Sequence, residues 1–212
     1  MKEDVYIRVT NFTDENKVTP KLVGYGDSLS AFLYPLGDYV PTSGMRCKVS
    51  SWCRVEDNAL PARAKINGAY VNTAFSKTEA LLAGFDEALV LDGRGHVVEG
   101  SAENFFAVID GKIVTPPVHD NILEGITRKT IIQVAQDEGF EVIERSFDRS
   151  ELYKADEIFV TGTGAKVSPV TDVDGYQVGN GEIGPVSTRL QTLYAQIVRG
   201  EVECYRAWLL EV

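Results

Sequence analysis

The sequence predicts an α+β fold with a curved or barrel-like sheet and flanking helices. Two observations lead there. Strand-like and helix-like segments follow one another in mixed order, without the regular βαβ alternation of a doubly wound parallel sheet. Several strand candidates are also joined by hairpin-like turn signals, GRG at 93–95 and DG at 110–111. No internal repeat and no low-complexity segment interrupts the pattern.

The elements are taken in order. Residues 4–12 (DVYIRVTNF) are rich in β-formers and read as a strand. Residues 13–26 are polar, hold Pro20, Gly24 and Gly26, and read as a connection. Strands are expected at 28–34 and 46–52, and an irregular loop around Pro61 at 54–64. From Asn67 to Gly84 the pattern turns helical, with Val71, Phe75, Thr78 and Leu82 on one face and Gly84 as C-cap. Strands follow at 87–92, 104–109 and 112–115, then an amphipathic helix at 126–138 ended by Gly139. A strand at 140–146, a helical turn at 149–154, strands at 156–161 and 167–173, and a helix from about 185 to 199 complete the reading. Pro185 suits the first turn of that last helix.

Bulk properties narrow the function. With 212 residues, 44% hydrophobic and 25% charged, the chain has the composition of an ordinary soluble globular protein. Its net charge of −10 argues against nucleic acid or anionic lipid as the main partner, since phosphate backbones call for clustered Lys and Arg. Three cysteines without a CxxC pair make a poor disulfide framework, and two histidines give no metal-ligand cluster. No apolar run reaches membrane-spanning length, so a reducing cytoplasm is the expected compartment.

Four segments could carry chemistry. Lys65, in ARAKINGAY, would form an imine with a carbonyl if its environment lowered its pKa, although most lone lysines are solvated surface residues. Tyr70 follows five residues later and reads as a hydrogen-bond partner for a ligand hydroxyl or as core. Glu99, in VVEGSAENFF, reads as a turn residue or as a buried carboxylate that keeps a pyridinium nitrogen protonated. In LEGITRKT, Gly125, Ile126 and Thr127 open a helix whose first-turn N–H groups can cradle phosphate; a plain helix start reads the same way. In TGTGAKVSPV the glycines around Thr163 allow close approach of a ligand, or simply make a turn between strands.

The order of these motifs is more telling than any one of them. ARAKINGAY, VVEGSAENFF, LEGITR and TGTGAKVSPV in succession resemble the fold-type IV pyridoxal-phosphate enzymes, with the branched-chain aminotransferases the nearest match. DVYIRV, SSWCR and GPVSTRLQ extend the resemblance over almost the whole chain. It implies the large cofactor-binding domain of that fold, with pyridoxal 5'-phosphate as cofactor and Lys65 as the Schiff-base lysine. Tyr70 would contact the cofactor 3-hydroxyl and Glu99 its ring nitrogen; Leu123, Gly125, Ile126 and Thr127 would pack on the ring and bind phosphate, with Thr163 as a second phosphate threonine. Arg54 would lie near the cofactor, Tyr6 would line the substrate pocket, and the backbone N–H groups of Thr163 and Gly164 would hold the substrate carboxylate.

The implied reaction is amino-group exchange between leucine, isoleucine or valine and 2-oxoglutarate, within branched-chain amino acid biosynthesis. A homodimer or larger assembly is implied as well. Other chemistries on the same fold remain open: a D-amino acid or (R)-amine transaminase, or an aminodeoxychorismate lyase. Residues 1–20 are expected to hold the last strand of a small N-terminal domain and the interdomain connection, and 21–212 the large domain. The rest of that small domain, with its phosphate- and substrate-binding arginines, has no counterpart in these residues, so an inactive cofactor-domain fragment is the third reading.

Overall fold

The computed structural model describes residues 4–210, in two compact units that divide after Tyr39. In the first unit, β1 (Tyr6–Thr13) and β2 (Asp27–Tyr34) form an antiparallel ribbon in which Tyr6 lies opposite Tyr34. The division expected at residue 20 falls between these strands.

The second unit holds β3 (Met45–Cys53), α1 (Tyr70–Leu82), β4 (Glu87–Leu91), β5 (His96–Gly100), β6 (Asn104–Ile109), β7 (Lys112–Thr115) and α2 (Ile126–Asp137). It continues with β8 (Val142–Glu144), β9 (Phe147–Asp148), β10 (Glu157–Gly162), β11 (Lys166–Val173), β12 (Tyr176–Gln177) and α3 (Pro185–Val198). Three 3-10 segments lie at Asn67–Ala69, Arg149–Tyr153 and Glu203–Trp208. The expected strand at 140–146 is realised as the shorter β8, followed by β9. The sequence pattern marks neither β5 nor β12 as a strand.

The sheet closes on itself. The strands run β6-β10-β11-β3-β4-β5, and β5 pairs back to β6 through Glu99 opposite Asn104. The curved, barrel-like sheet expected from the sequence is therefore a closed ring of six strands, with β7, β8 and β9 continuing from its edges. Closure leaves those six strands with neighbours on both sides. The pairings are mixed: β3 runs parallel to both β4 and β11, while β6 and β10 are antiparallel.

Period-2 alternation builds two cores. Phe105 and Ala107 of β6 pack with Val49, Leu89, Phe147, Ile158 and Val160. Their neighbours Phe106 and Val108 pack the other way, with Phe159 and the apolar stripes of α2 (Ile131, Val134) and α3 (Leu190, Leu193, Ile197). The Phe106 and Phe159 rings stack at 5.0 Å.

In α1 the apolar stripe is not the buried face. Val71, Phe75 and Leu82 are exposed, whereas Ser76 and Ala80 are buried. Polar contacts dock this helix. Thr73 Oγ1 donates to Ser101 O at 2.9 Å, Asn72 Nδ2 donates to Cys53 O at 3.0 Å, and Lys77 Nζ meets Glu87 Oε2 at 2.6 Å. Phe75 instead stacks on Trp52 at 4.7 Å on the outer side of β3. Gly84 takes the expected position after the helix, with φ +82°.

Candidate active site

The barrel closure builds the site. One open cavity is lined by Arg54, Lys65, Tyr70, Thr73, Glu99, Ser101, Glu103, Asn104 and Leu123, among others. Five residues singled out from widely separated sequence positions thus share one wall: Arg54 after β3, Lys65 in the loop before α1, Tyr70 at the start of α1, Glu99 on β5 and Leu123 before α2.

Loop-to-loop hydrogen bonds place Lys65. Arg63 Nε donates to Glu124 Oε1 at 3.1 Å and Arg63 Nη2 to Val118 O at 3.2 Å, tying the lysine loop to the segment that leads into α2. Ala62 N donates to Asp57 Oδ1 at 3.0 Å, and Asp57 N donates to Asn121 Oδ1 at 3.2 Å. Lys65 itself is exposed. Tyr70 and Leu123 are half-buried.

Glu99 is the electrostatic centre. It is 5% exposed, and three donors converge on its carboxylate: Leu123 N at 2.7 Å, Asn104 Nδ2 at 3.0 Å, and Arg54 Nη2 at 3.1 Å. Burial nevertheless pushes its pKa up to about 7, with the Arg54 charge and the Leu123 N–H offsetting part of the rise. A carboxylate so placed takes a positively charged N–H as an additional partner at little further desolvation cost.

The start of α2 lies three residues beyond Leu123. Gly125 is its N-cap, with φ −62° and ψ 137°, and no side chain caps the first turn. A Cβ at Gly125 would overlap Asn104 Oδ1, so glycine is needed there for close approach. Thr127 is buried and Ile126 is 84% exposed. The turn that carries Thr163 and Gly164 joins β10 to β11, and Thr161, just before it, lies opposite Asn104 in the sheet. Gly162 approaches the cavity wall: a Cβ at this position would lie 3.8 Å from Ala102 O and from Glu103 Cγ. Thr163 is exposed and Gly164 half-buried. Tyr6, half-buried on β1, belongs to the other unit.

Asn104 and Glu103 stand within the VVEGSAENFF motif, but the sequence pattern assigns them no role. Asn104 joins Glu99 to the α2 segment, since the same Nδ2 also donates to Leu123 O at 2.8 Å. Its place in a strand paired with the motif's own glutamate is the signal that finds it. Glu103 is a carboxyl only 3% exposed in the same wall.

Comparisons with known proteins identify the family. The family described as amino-transferase class IV matches residues 2–173. A probable branched-chain-amino-acid aminotransferase of Aquifex aeolicus is 50% identical over 214 aligned positions, covering 100% of this chain and 69% of that protein. The crystal structure of a branched-chain aminotransferase from Thermoproteus uzoniensis with norvaline superposes with a TM-score of 0.96 at 40% identity, covering 99% of this chain and 70% of that one. A branched-chain amino acid aminotransferase from Thermobaculum terrenum, solved in its PLP form, gives a TM-score of 0.91 at 34% identity, covering 97% and 68%. The chain thus spans about two thirds of the length of these relatives. Motif order, barrel closure and a match across most of the sequence converge: the chain belongs to the class IV aminotransferase family.

Proposed function

We propose that this chain carries the pyridoxal 5'-phosphate site of a branched-chain aminotransferase, which exchanges an amino group between leucine, isoleucine or valine and 2-oxoglutarate. The observation that carries the reading is the cavity on which Lys65 meets a buried Glu99 held by three donors. The residues fit the cofactor. Glu99 offers a buried carboxylate for a ring nitrogen, the uncapped first turn of α2 with Gly125, Ile126 and Thr127 offers N–H and hydroxyl donors for a phosphate, and Lys65 offers an amine. When bound, the cofactor supplies an electrophilic carbonyl carbon and a protonated ring that acts as an electron sink.

The chain's own groups do the rest. Lys65 Nζ would hold the cofactor through its carbonyl carbon until the substrate amine displaces it, and as the free amine it would take the proton from the substrate Cα. Glu99 holds the ring nitrogen in its protonated form, and Arg54 favours the charged carboxylate. Tyr70 Oη orients the cofactor hydroxyl, Leu123 and Ile126 cover the ring, and Thr163 adds a second phosphate contact. Thr163 N–H, Gly164 N–H and Tyr6 are assigned to substrate recognition by their place in the family pattern. Residues 1–20 are assigned on the same ground to a small N-terminal domain and its connection. The working form is a cytoplasmic homodimer or larger assembly acting on small amino acids and 2-oxo acids.

Borohydride reduction of the chain mixed with pyridoxal phosphate, followed by peptide mass mapping, tests the site. The mass increment is expected on the peptide holding Lys65; an increment confined to other lysines overturns the assignment. Assays of leucine, valine and D-alanine against 2-oxoglutarate test the substrate class, and turnover of D-alanine alone would refute it.

A further inference from the structure

The cavity wall holds a second buried carboxyl, Glu103, in surroundings unlike those of Glu99. Glu99 accepts from three donors, one of them a guanidinium. Glu103 accepts from one: Ala102 N donates to its Oε2 at 3.0 Å, while its Oε1 is buried with no hydrogen-bond partner. Ser101 Oγ, in the same wall, is also buried and without a partner. Two orphaned polar atoms in one cavity wall call for a polar group of a ligand or for ordered water.

The charges around Glu103 disfavour a second anion. From β4 it faces Glu87, fully buried and paired with Lys77 Nζ of α1 at 2.6 Å. From β5 it faces Glu99, and from β3 the buried thiol of Cys47. Space is tight as well: a Cβ at Gly100 would come within 2.6 Å of Glu103 Oε2. Ionising Glu103 would set a third buried carboxylate beside Glu87 and Glu99, with one N–H to stabilise it.

We propose that Glu103 is a positioning residue of the cavity that works as an uncharged carboxylic acid, its carboxyl proton serving as a hydrogen-bond donor in the wall while Glu99 remains the ionised carboxylate. Its proton keeps a second negative charge away from Glu99, which then stays free to pair with a cationic ring nitrogen. The consequence rests on the cofactor reading only for the identity of that cation. Burial, reinforced by Glu87, raises the Glu103 pKa above the usual carboxylate range, against the pull of the Ala102 N–H and of Lys77.

The protonation state can be read without the cofactor, so its failure is distinct from failure of the cofactor reading. In a chain carrying carboxyl-13C glutamate, the NMR signal lost in Glu103→Gln identifies Glu103, and its titration midpoint should lie above neutrality. A midpoint near the ordinary value of 4.5 overturns the proposal. Glu103→Gln mimics the neutral acid, so it should hold pyridoxal phosphate within about threefold of the parent, roughly the spread of one weak hydrogen bond. In the parent, affinity should fall as pH rises through the Glu103 titration, and Glu103→Gln should abolish that fall. A Gln variant as weak as Glu103→Ala would show that the charge is needed, and would refute the idea. Should the Gln variant not fold, infrared spectroscopy of Glu99→Gln decides: a protonated-carboxyl band that persists at neutral pH supports the proposal, and its absence overturns it.

Discussion

Asn104 Nδ2 donates to Glu99 Oε1 at 3.0 Å across the residue pair that closes the barrel. The same amide reaches Leu123 O at 2.8 Å, so one side chain fixes both the buried carboxylate and the segment leading into α2. Asn104→Ala should weaken pyridoxal phosphate binding roughly tenfold, the order of one to two hydrogen bonds left unmade in a buried site. Asn104→Asp should weaken it further, because a second carboxylate beside Glu99 raises the cost of ionising either. Spectrophotometric titration of each variant with the cofactor checks the order, and an Asp variant that binds like the parent would refute it.

Gly125 tests the same junction from the other side. Any Cβ there collides with Asn104 Oδ1, so Gly125→Ala must displace either the amide or the first turn of α2. A loss of about 1–3 kcal/mol in stability is expected from such overpacking, together with weaker cofactor binding. Gly84→Ala is the control. An added Cβ would meet nothing within 4 Å, but the backbone sits at φ +82°, so the change should cost about 1 kcal/mol in thermal unfolding and leave cofactor binding unchanged.

Much of the fold was legible because local signals and burial agree. The alternation in NFFAVI sends Phe105 to one core and Phe106 to the other, and Gly139 ends α2 with the positive φ that glycine tolerates. α1 was legible as a helix but not in orientation. Its docking is polar, through Thr73, Asn72 and Lys77, so its apolar stripe misleads about the buried face. The hairpin turn before β5 is legible but the strand is not, because Glu99 and Gly100 break the apolar run and their burial depends on barrel closure. Motif order points to Lys65, Glu99 and Leu123, which line one cavity; Asn104, which joins the last two, emerges only from cross-strand register.

The pH dependence of stability follows from the two raised carboxyls. Burial lifts Glu99 to about 7 and Glu103 to about 8, against an ordinary value of 4.5. Each binds its proton more tightly in the folded chain, so the stability it contributes is full below about 4.5 and is lost as pH rises through 7 to 8. Glu151 behaves in the opposite sense: the hydrogen bond from Arg145 lowers its pKa, so its contribution is lost only on acidification. The midpoint of thermal unfolding should therefore peak near pH 5 and fall towards pH 8, and the combination of Glu99→Gln with Glu103→Gln should flatten that fall. A parent chain equally stable at pH 5 and pH 8 would contradict the argument.

Arg128 couples the helix that opens the candidate phosphate site to the strand beside it. It is only 2% exposed; its Nη2 donates to Pro116 O at 2.8 Å and to Glu144 Oε2 at 2.7 Å. Arg128→Met keeps the apolar stem but leaves the Pro116 carbonyl unpaired, and should cost about 3 kcal/mol, the scale of breaking a buried charged contact. Arg128→Lys should recover little, because a single ammonium on a flexible stem does not reproduce the fixed fork of the guanidinium. The positive charge of Arg128 also favours the ionised form of Glu99. In Arg128→Met the Glu99 carboxyl should therefore titrate at still higher pH than in the parent, and in Arg128→Lys close to the parent value. Denaturant unfolding and carboxyl NMR separate the two effects: stability follows the lost hydrogen bonds in both variants, whereas the Glu99 titration follows only the charge.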